Sequence, residues 1–189
     1  MGDNIMRLSG IFARAAAFVI LALSVGVCPV GAESGPPISV SGFSYRATGG
    51  MHVHICNRPG CGGGSTVSYV FYPPRPVPTF QAYKSQRNRL EQELRTRLAP
   101  GVTLKFRPPT QKKDKLFSVF ESRRTISAPG RSPQVTVSRT IVAKAMIIEL
   151  ISSAEQEKTA EVNLALFTLP AMAMAMSDGK TRLRMESRD

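Results

Sequence analysis

Most of this chain reads as short stretches in which hydrophobic and polar positions alternate. Ile38 to Tyr45 alternates with period two, the pattern of a half-buried strand. Met51 to Cys56 does so again, so Met51, Val53 and Ile55 share one face while His52, His54 and Cys56 share the other. A turn-rich stretch from Asn57 to Gly64 follows, and then the β-branched and aromatic run Thr66 to Tyr72. Together these predict a β-hairpin over 51–72 with a cysteine loop at its tip.

The period changes once. Phe80, Tyr83, Leu90, Leu94 and Leu98 recur at helical steps after the proline-rich connector 73–78; Thr79 is placed to cap the start and Pro100-Gly101 to end the run. This predicts an amphipathic helix over 80–98, with Arg87 in its apolar stripe and paired to Glu91 one turn on, the alternative being a buried arginine that reads a ligand. Beyond it, Val102 to Phe106 is a short strand, 107–115 a basic loop, and Leu116 to Ile126 a strand. Gln134 to Ser138 and Ile141 to Ile151 are strand-like, and 152–159 is a polar loop. Val162 to Met176, where Ala and Met alternate, is a strand that Pro170 interrupts or sets at an edge. The expected fold class is α+β: an antiparallel sheet with one amphipathic helix packed on it.

The N-terminal segment adds a compartment. Arg7 and Arg14 precede the apolar run Ala15 to Val27, and small residues follow at Val30-Gly31-Ala32, so residues 1–32 have the layout of a secretory signal peptide cleaved after Ala32. The run falls short of the ~20 residues that span a bilayer. The expectation is a periplasmic or secreted protein with a single domain over 33–176, a polar tail over 177–189 and no later membrane-crossing segment. In an oxidising compartment Cys56 and Cys61 are expected to bond to each other across the Pro59-Gly60 turn.

Charge is uneven. Residues 75–131 carry five Lys and nine Arg against four acids, while 132–189 hold seven basic and seven acidic residues. A basic middle third points to a polyanion or an anionic membrane surface. The residues placed to supply it are Arg75, Arg107, Lys112, Lys113, Lys115, Arg123 and Arg124.

Candidate chemistry is sparse. His52, His54, Cys56 and Cys61 could offer N and S ligands to copper or zinc, with Met172, Met174 and Met176 as an accessory thioether row if that segment is extended. A disulfide would remove the thiolates. The run Gly62-Gly63-Gly64-Ser65 lacks the Gly-Lys-Ser/Thr ending of a phosphate loop, and no paired-carboxylate or nucleophile–base pattern stands out. The basic third has no nucleic-acid reading motif. The sequence therefore predicts an exported, non-catalytic envelope protein without a cofactor, binding an anionic envelope polymer or lipid surface through 75–131. The alternative is periplasmic copper or zinc handling through the His52/His54/Cys56/Cys61 cluster.

Overall fold

The computed structural model describes residues 36–61, 64–73, 78–144 and 146–177. The signal segment expected over 1–32, Arg75 and residues 178–189 of the expected tail lie outside them.

Seven strands form one antiparallel sheet: β1 (Phe43–Thr48), β2 (Met51–Cys56), β3 (Thr66–Tyr72), β4 (Thr103–Lys113), β5 (Phe117–Ser127), β6 (Gln134–Ala143) and β7 (Ile147–Ala154). Their order across the sheet is β1-β2-β3-β7-β6-β5-β4. Two meanders, β1–β3 and β4–β7, thus meet where β3 pairs with β7, Thr66 opposite Ser153 and Tyr72 opposite Ile147. Helix α1 (Phe80–Arg95) connects them, and α2 (Glu157–Met176) ends the described chain. The α+β class is as predicted, with two helices among the described residues where one was expected.

Alternation along the strands sorts residues into two faces. Val67 and Tyr69 of β3, Val137 and Ile141 of β6, and Ile148 and Leu150 of β7 are buried against Ala160, Leu164, Phe167, Ala171 and Ala175 of α2. On the opposite face Phe120, Val142 and Ile147 meet Tyr83 of α1. At ~25 cal/mol per Å² of apolar surface removed from water, the first cluster is the larger source of stability.

Three expectations fail for identifiable physical reasons. Residues 162–176 are helix, not strand. Ala, Leu and Met are strong helix formers, and the buried positions recur at three- and four-residue steps. Alternate residues of a helix point roughly opposite ways, so Met172, Met174 and Met176 form no thioether row. By length and composition this 20-residue helix could cross a membrane, which no later segment was expected to do; here it packs along β6 and β7. Next, the expected basic loop over 107–115 is mostly strand. Pro108 and Pro109 fall at a register shift between Arg107 and Thr110, on an edge strand where a missing N–H costs no ladder bond. Finally, Arg87 pairs not with Glu91 but with Glu149 of β7, and Glu91 takes Arg95 instead.

Other local features match the sequence in part. Thr79 caps α1, its Oγ1 accepting from the Ala82 N–H at 3.1 Å, although α1 ends at Arg95, one turn before Leu98. The β2–β3 hairpin carries the cysteine loop at its tip, closed by the Cys56 N–H donating to the Ser65 carbonyl at 2.9 Å. The first predicted strand starts later, at Phe43. Ile38 instead packs in the core, where the Tyr69 hydroxyl accepts from its N–H at 3.1 Å.

Candidate functional site

The cysteine loop is built into the fold. Cys56 and Cys61 are joined by a disulfide, with Cα atoms 6.2 Å apart. From the same turn, Arg58 donates through Nη2 to Oδ1 of Asn163 on α2 at 2.8 Å, and its guanidinium lies 5.0 Å from the centre of the Phe43 ring. Gly42 has φ near 81°, and a Cβ there would lie 2.3 Å from Cγ of Arg58. A side chain at that position would be strained and would displace the arginine.

His52 and His54 do share a face of β2, as the alternation predicts, but that face looks onto α2 rather than solvent. His54 is 1% exposed, its ring 4.8 Å from Phe167, 5.1 Å from Tyr45 and 5.5 Å from Tyr69. His52 stacks on Tyr69 at 4.7 Å, and its Nδ1 is 2.8 Å from the Tyr45 hydroxyl. Burial lowers both imidazoles; for His54, burial and then the neighbouring His52 bring it to about 4. Burial also raises Tyr69 to about 12. Both histidines are therefore neutral members of an aromatic cluster at pH 7. The disulfide takes the two thiolates from the metal set, and among the described residues no three His, Cys, Asp or Glu side chains gather as a metal site.

The described members of the expected contact set separate into three environments. Arg107 and Arg123 face α2 and are engaged there. Arg107 makes a two-pronged contact with Glu157 at 2.6 and 2.7 Å, and Arg123 reaches Glu121, Glu157 and Glu161 within 2.8 Å. Arg139 joins through Glu121 at 2.7 Å and bonds the Thr168 hydroxyl at 2.7 Å. Three arginines thus meet three glutamates in a balanced network between the sheet and the first half of α2. Burial alone would raise Glu121, but hydrogen bonds from Arg139 and Arg123 outweigh it and hold this carboxyl below the ordinary range.

Arg124, the next residue along β5, points to the other face. There it lies in a cleft under α1 lined by Arg87, Leu90, Phe106, Ser122, Thr136 and Ser138. Burial, and then the neighbouring Arg87, lower its guanidinium to about 10, so it stays charged at neutral pH. Arg123 and Arg124, both expected to supply the basic contact, are mid-strand and on opposite faces.

Lys112, Lys113 and Lys115 are exposed at the β4–β5 hairpin, and no ion pair reaches them among the described residues. Lys112 and Lys113 lie in the last part of β4 rather than in a loop, opposite Val119 and Ser118. Leu116, in the turn beside them, is 68% exposed. Phe117 pairs with Ala143, which brings the exposed Lys144 of the β6–β7 turn to the same end of the sheet.

No protein-family model and no curated protein matches the sequence. Among solved structures the chain is similar to the Ran-binding protein Mog1p of Saccharomyces cerevisiae, with 10% identity over 72% of this chain and 83% of that one, at a TM-score of 0.42. A likeness of that degree bears on neither ligand nor partner.

Proposed function

We propose that this chain is exported and acts without catalysis at the cell envelope, holding an anionic surface through the end of the sheet that carries the β4–β5 hairpin. The observation that carries this reading is the contrast among the basic residues. Arg107 and Arg123 are neutralised by glutamates and Arg124 is recessed, whereas Lys112, Lys113 and Lys115 stand exposed around Leu116 with Lys144 alongside. The contact set proposed from sequence contracts accordingly, with Lys144 added to the three hairpin lysines. A signal-peptide layout over 1–32 supplies the route out of the cytoplasm.

Each exposed lysine contributes about 1 kcal/mol near an anionic surface, so affinity needs several together. The protein is expected to sediment with vesicles containing anionic lipid, or with anionic envelope fragments, at low salt and to release as the Debye length shrinks below ~8 Å. Changing Lys112, Lys113 and Lys115 together to Gln is expected to weaken binding by roughly 100-fold while stability moves by less than ~0.5 kcal/mol. Wild-type protein that ignores anionic surfaces at low salt would leave these lysines as solvated charge.

A further inference from the structure

Exposed apolar surface is concentrated in one place. Among the described residues five large apolar side chains are exposed, and four of them, Val162, Leu166, Leu169 and Met176, lie on α2. With Lys158 and Ala173, also exposed, they recur at three- and four-residue steps, which sets them in one row along the helix. The sequence from Val162 to Met176 holds no charged residue. Single exposed apolar side chains are ordinary, but a continuous row marks a surface that something else covers. The opposite arc of α2, with Ala160, Leu164, Phe167, Ala171 and Ala175, is buried against the sheet. The helix is therefore apolar all round, and the sheet accounts for one side of it.

The flanks of the row are positive. Lys158 heads it. Lys105 and Lys112 are exposed on the edge strand β4, and alternation puts both on the α2 side. Lys105 is two residues from Arg107, which reaches Glu157; Lys112 stands opposite Val119, which packs against the core beneath α2. The neighbouring carboxylates Glu121, Glu157 and Glu161 are engaged by Arg107, Arg123 and Arg139.

Possible occupants differ in what they complement. A second copy would bring Lys158 and the chain's net charge of +12 against their like. A soluble anionic polymer would meet the lysines and leave the apolar row in water. An anionic bilayer complements both, since apolar side chains sink below the headgroups while lysines reach back to the phosphates. The helix would lie along the interface and not cross it, because crossing would strip the sheet of Leu164 and Phe167.

We infer that the outer face of α2 seats in the headgroup region of an anionic lipid bilayer, with Val162, Leu166, Leu169 and Met176 toward the acyl chains and Lys158 among the phosphates. This rests on the envelope-binding reading and narrows its partner from any anionic surface to lipid.

The chain has no tryptophan, so Leu169→Trp places a single reporter at the most exposed large side chain of the row. Purified protein carrying it is titrated with vesicles of phosphatidylglycerol and phosphatidylcholine, and separately with inorganic polyphosphate, an anion without acyl chains. Vesicles are expected to shift the indole emission to the blue, and bromine on the acyl chains to quench it; polyphosphate is expected to do neither. Changing Leu169 and Met176 together to Gln is expected to weaken vesicle binding about tenfold. Co-sedimentation with vesicles while the emission stays unmoved overturns this inference and leaves the envelope reading standing on the lysines. Binding to envelope fragments but not to lipid vesicles does the same. Protein that ignores both at low salt overturns the two readings together. Emission already blue in lipid-free buffer, with a dimer in sedimentation velocity, overturns the lipid assignment in favour of a second copy. Should Leu169→Trp fail to fold, wild-type protein is compared with the double Gln variant, and equal affinity of the two for vesicles overturns the apolar contact.

Discussion

Lowering the pH from 7 to 4 is expected to remove about 3 kcal/mol of stability through His54 alone. In the fold this imidazole titrates near 4, because it is enclosed by Tyr45, Tyr69 and Phe167 with His52 beside it; in the unfolded chain it titrates near 6.5. The unfolded state therefore binds the proton first. Stability from this source is complete above about pH 7, declines as the pH falls from ~6.5 to ~4, and levels off below. His52, also lowered by burial, acts in the same direction. Glu121 adds a separate loss at lower pH, where its depressed carboxyl is protonated and Arg123 and Arg139 lose their partner. Urea unfolding at half-unit steps from pH 7 to 4.5 measures the slope. His54→Leu, which carries no titrating group and leaves no buried ring nitrogen, is expected to flatten most of it. A variant that keeps the wild-type slope would assign the acid sensitivity to other groups.

Truncating Phe167 to Ala is expected to cost about 3–5 kcal/mol, a large share of the stability of an ordinary domain. The ring is fully buried and reaches from α2 to side chains of β1, β2 and β3. It meets Phe43 edge-on at 5.1 Å and His54 at 4.8 Å, so its loss opens a cavity between the helix and three strands at once. Leu169, two residues on and 74% exposed, is the control: Leu169→Ala is expected to shift stability by less than ~0.5 kcal/mol. Denaturant midpoints of the two variants at equal m-value test this directly. Equal effects would mean that α2 does not bury the face assigned to it.

That contrast also shows which parts of the structure could be read from sequence. Strands β2 and β3 were legible because one face is core and the other is not, so the alternation is visible residue by residue. Helix α1 was legible because its stripe is interrupted by polar residues and Thr79 caps it. Helix α2 was not. It is apolar on its buried side and carries Val162, Leu166, Leu169 and Met176 on its exposed side, which erases the 3.6-residue signal, while the Ala–Met run imitates a period of two. The site was harder still. Arg123 and Arg124 are adjacent and chemically identical in sequence, yet strand geometry sends one into a network of glutamates and the other into a cleft with no partner of its own. On the cleft side Glu149 is taken by Arg87, 62 residues away in sequence, and no local pattern reports that. The histidines illustrate a milder case: the shared face was evident, and only the packing of α2 made it an interior one.

The seam between β3 and β7 sets the order in which the molecule can assemble. Tyr72 and Glu149, which touch across it, are 77 residues apart, and Arg58 reaches Asn163 over 105. The meander β4–β7 closes through neighbouring hairpins, but β1–β3 has no sheet to join until β7 exists and no cover for Val67 and Tyr69 until α2 follows. Closing so long a loop is paid for before its contacts form, which places docking of the N-terminal half late and makes the chain a slow folder for its size. Until then β3 offers an uncovered aromatic edge to any other chain nearby. A nascent chain stalled before residue 154 is therefore expected to be open to protease throughout 43–72, and one extended past residue 176 to be protected there, which limited proteolysis of stalled chains would register.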